Sequence, residues 1–386
     1  MRVPLLDLRR QNQPLEEELT AAFRRVLDSG HFILGSEVER FEDAAAPIAG
    51  ARFGIGISSG TDAILVALMA LEIGPGDEVI CPSFTFFATA GCIARLGAKP
   101  VFADSRPECL NLDPAAIEPL ITARTKAIIP VHLFGQSADL REIVAIARRH
   151  NLAVIEDAAQ SFGAEYHGKP VGSFGDFTTV SFFPTKNLGA LGDAGLLLTN
   201  DADLAEKARR LRNHGMHPKY YHQAVGGNFR LDALQAALLG VKLPHLPDYT
   251  ARRQQHSCVY TAALRTLPRT AAVEILPPVA HPDRTHIANQ YTIRVRRGPH
   301  WNRPESPRDV LRGWLAAREI ASEIYYPVPL HMQECFQNLG PRPALPVAET
   351  AADEVLSLPV FPELTSEEQD AVVAAISDFA AAGGAA

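Results

Sequence analysis

The sequence predicts an α/β protein built on a mostly parallel sheet of seven strands, followed by a smaller α+β unit. Seven short apolar runs, most of them rich in β-forming residues and bounded by Gly, Pro or Asp, follow one another between about residues 50 and 200. Helical patterns lie between several of these runs, and such alternation produces a parallel sheet covered on both faces. Ligands of such sheets bind at the carboxyl ends of the strands.

Each apolar run is too short for a helix and is therefore assigned to a strand. In chain order the predicted strands are Gly54–Ile57, Glu78–Cys81, Pro100–Ala103, Lys126–Val131, Ala153–Glu156, Thr178–Phe183 and Gly195–Thr199.

The predicted helices carry apolar residues on one face. They cover Thr61–Leu71, Ala138–His150, Asp201–Asn213 and Leu231–Leu243, the last of which we expect to end at Pro244. A further helix is predicted to begin at Asp113, because Asp caps helices and Pro114 fits a first turn.

The pattern changes beyond residue 245. A polar helix at Asp248–Leu267 precedes a proline-rich stretch, a strand at Gln290–Arg296 and a helix near Pro307–Arg318. A chain of 386 residues is too long for one ordinary core. We therefore expect a large domain of residues 1–245 and a small C-terminal domain of residues 246–386.

The composition excludes several classes of protein. Hydrophobic residues make up 47% of the chain, which favours a packed globular protein, and the net charge of −7 does not suit nucleic-acid binding. The N-terminus lacks a signal-peptide pattern, and no apolar stretch is long enough to span a membrane. Five scattered cysteines indicate reduced thiols, so we expect a cytoplasmic protein. The spacing of His214, His217 and His222 is not a metal-binding pattern, and no metal is expected.

The segment ISSGTDAI, residues 57–64, is a candidate phosphate site. A strand ends there and a helix begins, so free backbone N–H groups and the helix dipole favour an anion, and Gly60 allows a close approach. The alternative is that Ser59 or Thr61 only caps the helix.

Two further segments carry groups that suit a cofactor with a pyridine ring and an aldehyde. Asp157 follows a buried strand, where its carboxylate could pair with a protonated ring nitrogen or could only cap the next helix. Lys186 lies in a turn beyond Ser181, where its amine could form a Schiff base or could be an ordinary solvated lysine. The phosphate turn, Asp157, Ser181 and Lys186 share one sheet edge, which favours the functional interpretation.

Three aromatic residues follow the second predicted strand. One of Phe84, Phe86 and Phe87 could stack on a flat cofactor ring, whereas we expect at least two of them to pack in the core.

In these residues the chain resembles the nucleotide-sugar aminotransferases of the DegT/DnrJ type, which depend on pyridoxal phosphate (PLP). The resemblance runs from PLLDL near the N-terminus to LSLP near residue 359. It is carried by the order and spacing of SGTDA at 59–63, GPGDEVICPSFTF at 74–86, RTKAIIPVHLFGQ at 124–136, VIEDAAQSFGA at 154–164, GSFGDFTTVSFFPTKNLGALGDAG at 172–195, RLDALQAALLGVKL at 230–243 and YYPVPLHMQ at 325–333.

The resemblance implies the fold type I architecture of PLP enzymes and a homodimer with shared active sites. It implies that Lys186 holds the cofactor as a Schiff base and acts as catalytic acid and base. The other implied contacts are Asp157 to the ring nitrogen, Gln160 beside the ring, Phe86 stacked on it, Gly60, Thr61 and Ser181 at the phosphate, and Asn228 at the phosphate of the partner's cofactor. Arg230, Tyr325 and Tyr326 are implied to contact the sugar nucleotide. Phe229 departs from the family pattern, which has a serine after the asparagine, and this weakens the assignment of Arg230.

The implied reaction moves an amino group from glutamate to a keto sugar on a nucleotide diphosphate, in amino-sugar biosynthesis. The loop GALGDAG is more similar to members that act at carbon 3 than to those that act at carbon 4. A sugar dehydratase is an alternative, but such relatives have histidine in place of the lysine. A regulatory protein without catalysis is a second alternative, although it would not need Lys186, Asp157 and Ser181. The particular sugar, nucleotide and pathway, and the choice between glutamate and glutamine, stay open.

Overall fold

The computed structural model describes residues 1–267 and 272–384. Its strands are β1 (Phe53–Ile57), β2 (Glu78–Pro82), β3 (Lys99–Ala103), β4 (Thr125–Ile128), β5 (Ala153–Asp157), β6 (Glu165–Tyr166), β7 (Lys169–Pro170), β8 (Phe177–Ser181), β9 (Gly195–Thr199), β10 (Val273–Leu276), β11 (Tyr291–Arg297) and β12 (Val355–Leu358).

The α-helices cover both faces of the large sheet and pack on the C-terminal sheet. They are α1 (Leu8–Asn12), α2 (Glu16–Ser29), α3 (Ser36–Ala45), α4 (Gly60–Ala70), α5 (Ala88–Arg95), α6 (Leu140–His150), α7 (Ala202–Arg212), α8 (Ala233–Lys242), α9 (Leu246–Arg265), α10 (Pro307–Ala316), α11 (Pro346–Glu354) and α12 (Ser366–Ala381). Within the described ranges, no helix is long and apolar enough to cross a membrane.

The large sheet has seven strands in the order β1-β9-β8-β5-β4-β2-β3. Neighbouring strands from β8 to β3 are parallel, whereas β9 is antiparallel to both β1 and β8. All strands except β9 therefore end at the same edge of the sheet. This confirms the predicted mostly parallel seven-stranded sheet, and each predicted strand overlaps an observed one.

The C-terminal part of the chain forms an antiparallel sheet in the order β10-β11-β12. Its core is separate from the three hydrophobic clusters that pack against the large sheet. The N-terminal segment joins this unit, because Val3 pairs with Ile320 and Arg10 forms a salt bridge of 2.7 Å with Glu368.

One helix prediction was wrong at a proline. The segment that begins at Asp113 forms the 3₁₀ turns Pro114–Ala116 and Glu118–Leu120 in place of an α-helix, because Pro119 cannot continue one. The helix α8 ends at Lys242, before Pro244 as predicted, and a 3₁₀ turn and then α9 follow it directly. Pro244 and Pro247 each occupy the first turn of a new helical segment, where a missing N–H costs nothing.

Candidate active site

A cavity of about 660 Å³ opens at the edge where the parallel strands end. It lies between the turn after β1, the loop after β2, the ends of β5 and β8, and residues 325–326 of the C-terminal part. The predicted site residues that line it are Gly60, Thr61, Phe86, Asp157, Gln160, Ser181, Lys186, Tyr325 and Tyr326.

The turn between β1 and α4 supplies both a helix cap and an anion site. The Ser59 hydroxyl accepts a hydrogen bond from the backbone N–H of Asp62 at 3.0 Å, so the capping alternative is also true. A Cβ added to Gly60 would lie 2.6 Å from the Cβ of Ser181, which explains the glycine. Free N–H groups of the first turn of α4 and the Ser181 hydroxyl therefore meet at one end of the cavity.

Asp157 is the last residue of β5, and its carboxylate is buried in the cavity wall. It accepts hydrogen bonds from the Thr89 hydroxyl at 2.9 Å and from the backbone N–H of Ala159 at 3.2 Å. Burial raises the pKa of this carboxyl group, and those two donors and the Lys186 amine lower it in part. No α-helix begins within the next residues, so Asp157 is not a helix cap.

The neighbouring residue Glu156 anchors the end of β5. Its buried carboxylate accepts hydrogen bonds from the backbone of Gly175 at 2.7 Å and from the Thr178 hydroxyl at 3.3 Å. It also faces Nε2 of buried His132 at 3.2 Å. The backbone N–H of Ala138 donates to Nδ1 of His132, so the imidazole proton is on Nε2 and is donated to Glu156. These bonds fix the strand end that carries Asp157.

Lys186 lies in a turn in which its backbone N–H donates to the carbonyl of Phe183 at 2.9 Å. Burial lowers the pKa of its amine from 10.5 to about 8, although the Asp157 carboxylate opposes this shift. An amine with such a pKa has a much larger neutral fraction near physiological pH than an ordinary lysine, and the neutral form is the nucleophile.

The aromatic residues after β2 differ from the expectation. Only Phe84 is in the core, whereas Phe86 is 56% exposed and Phe87 is 45% exposed. The prediction that at least two of the three pack in the core was therefore wrong, because the loop bends out at the cavity mouth. Phe86 lines the cavity, and its ring centre lies 6.2 Å from that of Tyr326.

Asn228 and Arg230 are not among the residues that line this cavity. Asn228 is exposed and pairs through its backbone with Asn213. The Arg230 guanidinium donates to the side-chain oxygen of Asn213 at 2.8 Å, and the Arg230 backbone pairs with Ile57 at the end of β1.

Some residues of the site were missed by sequence reasoning. Thr89 donates to Asp157, and the hydroxyl oxygen of Thr85, in the loop before α5, lies 3.2 Å from that of Thr89. Asp193 and Gln290 also line the cavity. No local sequence pattern relates Thr89 or Gln290 to the site, because both reach it only through the tertiary fold.

A buried carboxylate, a partly neutral lysine and an anion-binding helix terminus at the edge of this sheet define a fold type I PLP enzyme. The residues fit that cofactor. Among the described residues no cation is in hydrogen-bond contact with the buried Asp157 carboxylate, which suits a protonated ring nitrogen, and Gly60 leaves a cradle that a Cβ would fill.

The profile of the DegT/DnrJ/EryC1/StrS aminotransferase family matches residues 13–377. The chain belongs to this family, and it is a PLP-dependent aminotransferase. It is 50% identical to a "Pleiotropic regulatory protein" of Geobacillus stearothermophilus, with 98% of this chain and 99% of the relative covered. It is 45% identical to a "UDP-N-acetyl-3-dehydro-alpha-D-glucosamine 3-aminotranferase" of Acidithiobacillus ferrooxidans, with 97% and 96% covered.

Among solved structures, the chain is similar to DesV of S. venezuelae in complex with a ketimine intermediate. The TM-score is 0.92, the sequence identity is 41%, and 98% of each chain is covered.

Proposed function

We propose that this protein transfers an amino group from glutamate to carbon 3 of a keto sugar carried on a nucleoside diphosphate. The observation that carries the proposal is the meeting of Lys186 and Asp157 in one cavity at the sheet edge. The 45% identity to a relative named a 3-aminotransferase of a UDP-sugar supports the substrate class and the position. The Asp in the loop GALGDAG agrees with carbon 3.

When bound, PLP supplies an aldehyde for the Schiff base and a ring that withdraws electrons from the reacting carbon. With PLP bound, Asp157 would hold the proton on the ring nitrogen. Lys186 would hold the cofactor through its amine and, when free, would serve as the acid and base for proton transfer at carbon. Gly60, Thr61 and Ser181 would bind the phosphate, and Phe86 and Gln160 would lie against the ring; all of these residues line the cavity.

The remaining predicted contacts involve the substrates and a second subunit. Tyr325 and Tyr326 contact the sugar nucleotide from the cavity wall, and Arg230 contacts it at the cavity mouth. Asn228 binds the phosphate of the cofactor in the partner subunit of a homodimer. This agrees with the exposed position of Asn228 outside its own subunit's cavity.

Location and domain division are part of the same proposal. The protein works in the cytoplasm, in agreement with its free cysteines. A boundary near residue 245 separates the large domain from the small domain, and it lies between α8 and α9. The N-terminal segment crosses back to the small domain through Val3 and Arg10.

A regulatory protein is the second candidate, because one close relative carries a regulatory name. The buried pair of Lys186 and Asp157 argues for catalysis, since desolvating two ionisable groups has no use in a protein that only binds. The dehydratase alternative does not fit, because Lys186 occupies the position of the histidine.

The test is the visible absorbance of the purified protein before and after glutamate, with Lys186→Ala in parallel. We expect a yellow protein that glutamate bleaches, and a Lys186→Ala variant with an altered band and no turnover. A protein that stays colourless with added PLP would contradict the enzyme. Keto sugars with the oxo group at carbon 3 or carbon 4 then test the position, and no turnover with any 3-keto sugar would reject carbon 3.

A further inference from the structure

The side-chain amide of Gln160 is held in one orientation. The backbone N–H of Phe134 lies 2.6 Å from Oε1 of Gln160, and a backbone N–H can only donate. The oxygen of the amide must therefore face Phe134. Nε2 consequently faces the hydroxyl of Tyr326, at 3.3 Å, and donates to it.

This orientation determines the hydrogen-bonding role of the Tyr326 hydroxyl. Because its oxygen accepts from Gln160, its own proton is free for another acceptor. Within the described parts of the chain no residue takes that proton. Burial raises the pKa of the phenol, and the nearby Asp157 charge raises it further, so the hydroxyl keeps its proton at neutral pH.

The ring of Tyr326 is fixed in place. Its centre lies 6.1 Å from that of Phe84 and 6.2 Å from that of Phe86, in edge-on and tilted contacts. Tyr326 lines the same cavity as Lys186 and Asp157. The cavity wall thus presents one pre-oriented donor, which suits an oxygen that gains charge during a reaction.

We propose that Tyr326 is a catalytic acid that protonates the carbonyl oxygen of the oxo substrate. The inference rests on the proposed function, and it differs from a simple contact between Tyr326 and the sugar. In the condensation step of amino transfer, the C=O double bond of the ketone is replaced by a C=N double bond to the amine, and the oxygen leaves as water. The oxygen gains two protons and the incoming amine nitrogen loses two.

Tyr326 balances these proton movements. Its phenol gives a proton to the oxygen as the C=O electrons move onto that atom, and it takes a proton back from the nitrogen. Lys186 keeps the separate task of moving the proton between carbon atoms. Because the amino donor leaves as an oxo acid by the same steps in reverse, Tyr326 acts in both half-reactions.

The test is Tyr326→Phe, which keeps the ring and its packing. The glutamate half-reaction is followed by absorbance in the absence of any sugar, and the return half-reaction with a 3-keto sugar nucleotide. We expect both to slow by roughly 10²-fold, the low end for general acid catalysis, with unchanged PLP affinity. Tyr166→Phe is the control. It removes a phenol hydroxyl that lies outside the cavity and donates a hydrogen bond of 3.2 Å to Glu142.

A second variant reverses the direction of the hydrogen bond between residue 160 and the Tyr326 hydroxyl. In Gln160→Glu one carboxylate oxygen still accepts from Phe134, and the other accepts the Tyr326 proton. We expect it to slow the glutamate half-reaction as Tyr326→Phe does.

The outcomes separate the two proposals. A Tyr326→Phe protein that reacts with glutamate at the wild-type rate, and is slow only with the sugar, would reduce Tyr326 to a substrate contact and overturn the inference. A wild-type protein that reacts with neither glutamate nor glutamine would overturn the proposed function itself.

Discussion

The hydroxyl of Thr89 donates a hydrogen bond of 2.9 Å to the carboxylate of Asp157. Since the only proton of that hydroxyl is used in the hydrogen bond to the carboxylate, the Thr89 oxygen accepts from the hydroxyl of Thr85, whose oxygen lies 3.2 Å away. A chain of two hydroxyl groups from α5 and the loop before it therefore stabilises the charged form of a buried acid.

Thr89→Val should raise the pKa of Asp157 beyond the rise that burial already causes, because the anion loses a donor. Asp157 would then be protonated at a higher pH, and the acid limb of the kcat profile should move upward. We expect a loss of about tenfold at the acid end, in line with one hydrogen bond to a charged group. Thr85→Val removes a hydroxyl that is one hydrogen bond further from Asp157, so it should shift the acid limb of the kcat profile by less. Identical acid limbs in all three proteins would contradict this role of Thr89.

Asp157→Asn should abolish amino transfer and yet stabilise the cofactor-free protein. Burial raises the folded-state pKa of Asp157, so its stabilising contribution is present at low pH and is lost as the pH rises through that pKa. At neutral pH the carboxylate is therefore destabilising. An asparagine keeps the Ala159 bond and can donate to Thr89, because the hydroxyl chain can reverse.

We expect a gain of about 1 kcal/mol in the free energy of unfolding of this variant at neutral pH. Denaturant unfolding of cofactor-free wild type and Asp157→Asn measures it, and the difference should shrink in acid. Equal stability at neutral pH would show that the carboxylate carries no burial cost.

Cofactor capture should depend on the ionisation of Lys186. Its amine has a pKa of about 8, and only the neutral form attacks an aldehyde. The rate at which colour appears after mixing cofactor-free protein with PLP should rise with pH and level off above that value. A midpoint near the ordinary lysine value of about 10.4 would instead indicate a solvated amine.

Gly60→Ala should weaken cofactor retention. The new methyl group would lie 2.6 Å from the Cβ of Ser181, so the phosphate turn must move. We expect a destabilisation of about 1–3 kcal/mol and a lower affinity for PLP, measured by thermal unfolding and by equilibrium dialysis. Gly74→Ala is the matched control, since no atom lies within 4 Å of its added Cβ. Equal PLP affinity in both variants would contradict the predicted contact.

Shared active sites can be tested by mixing two inactive proteins. Lys186→Ala lacks the amine, and Asn228→Ala should retain cofactor poorly because the partner's phosphate loses a ligand. In a mixed dimer, one site receives Lys186 from one subunit and Asn228 from the other, and is intact. Activity that appears on mixing after dissociation and reassociation would support the shared site. Asn228→Ala with wild-type PLP affinity would reject it.

The sequence was most informative where local pattern and chemistry coincide. The strand Gly195–Thr199 was predicted to the residue, because a buried strand is a short apolar run between breakers. Lys186, Asp157 and Gly60 could be singled out because each stands at or shortly after the end of a predicted strand, and all three line the cavity. One helix assignment failed at a proline, because Pro114 suits a first helical turn but Pro119 prevents an α-helix from continuing.

Groups that act through tertiary contacts were outside the reach of the pattern. Thr89 is one threonine on a buried helix, and nothing local relates it to an acid 68 residues later. The aromatic pair Tyr325 and Tyr326 came only from the family resemblance. The hydrogen-bonding role of the Tyr326 hydroxyl depends on the backbone N–H of Phe134, which orients Gln160, and no sequence pattern encodes that contact.

The position of β9 has a consequence for how the protein is made. This strand lies between β1 and β8, so the sheet that holds the turn of Gly60 beside Ser181 is complete only when β9 is in place. A nascent chain on the ribosome has synthesised both phosphate-binding segments before β9 emerges, but it cannot yet close the sheet around them. Loading of the vitamin B6 cofactor must therefore follow, and cannot guide, the first half of synthesis.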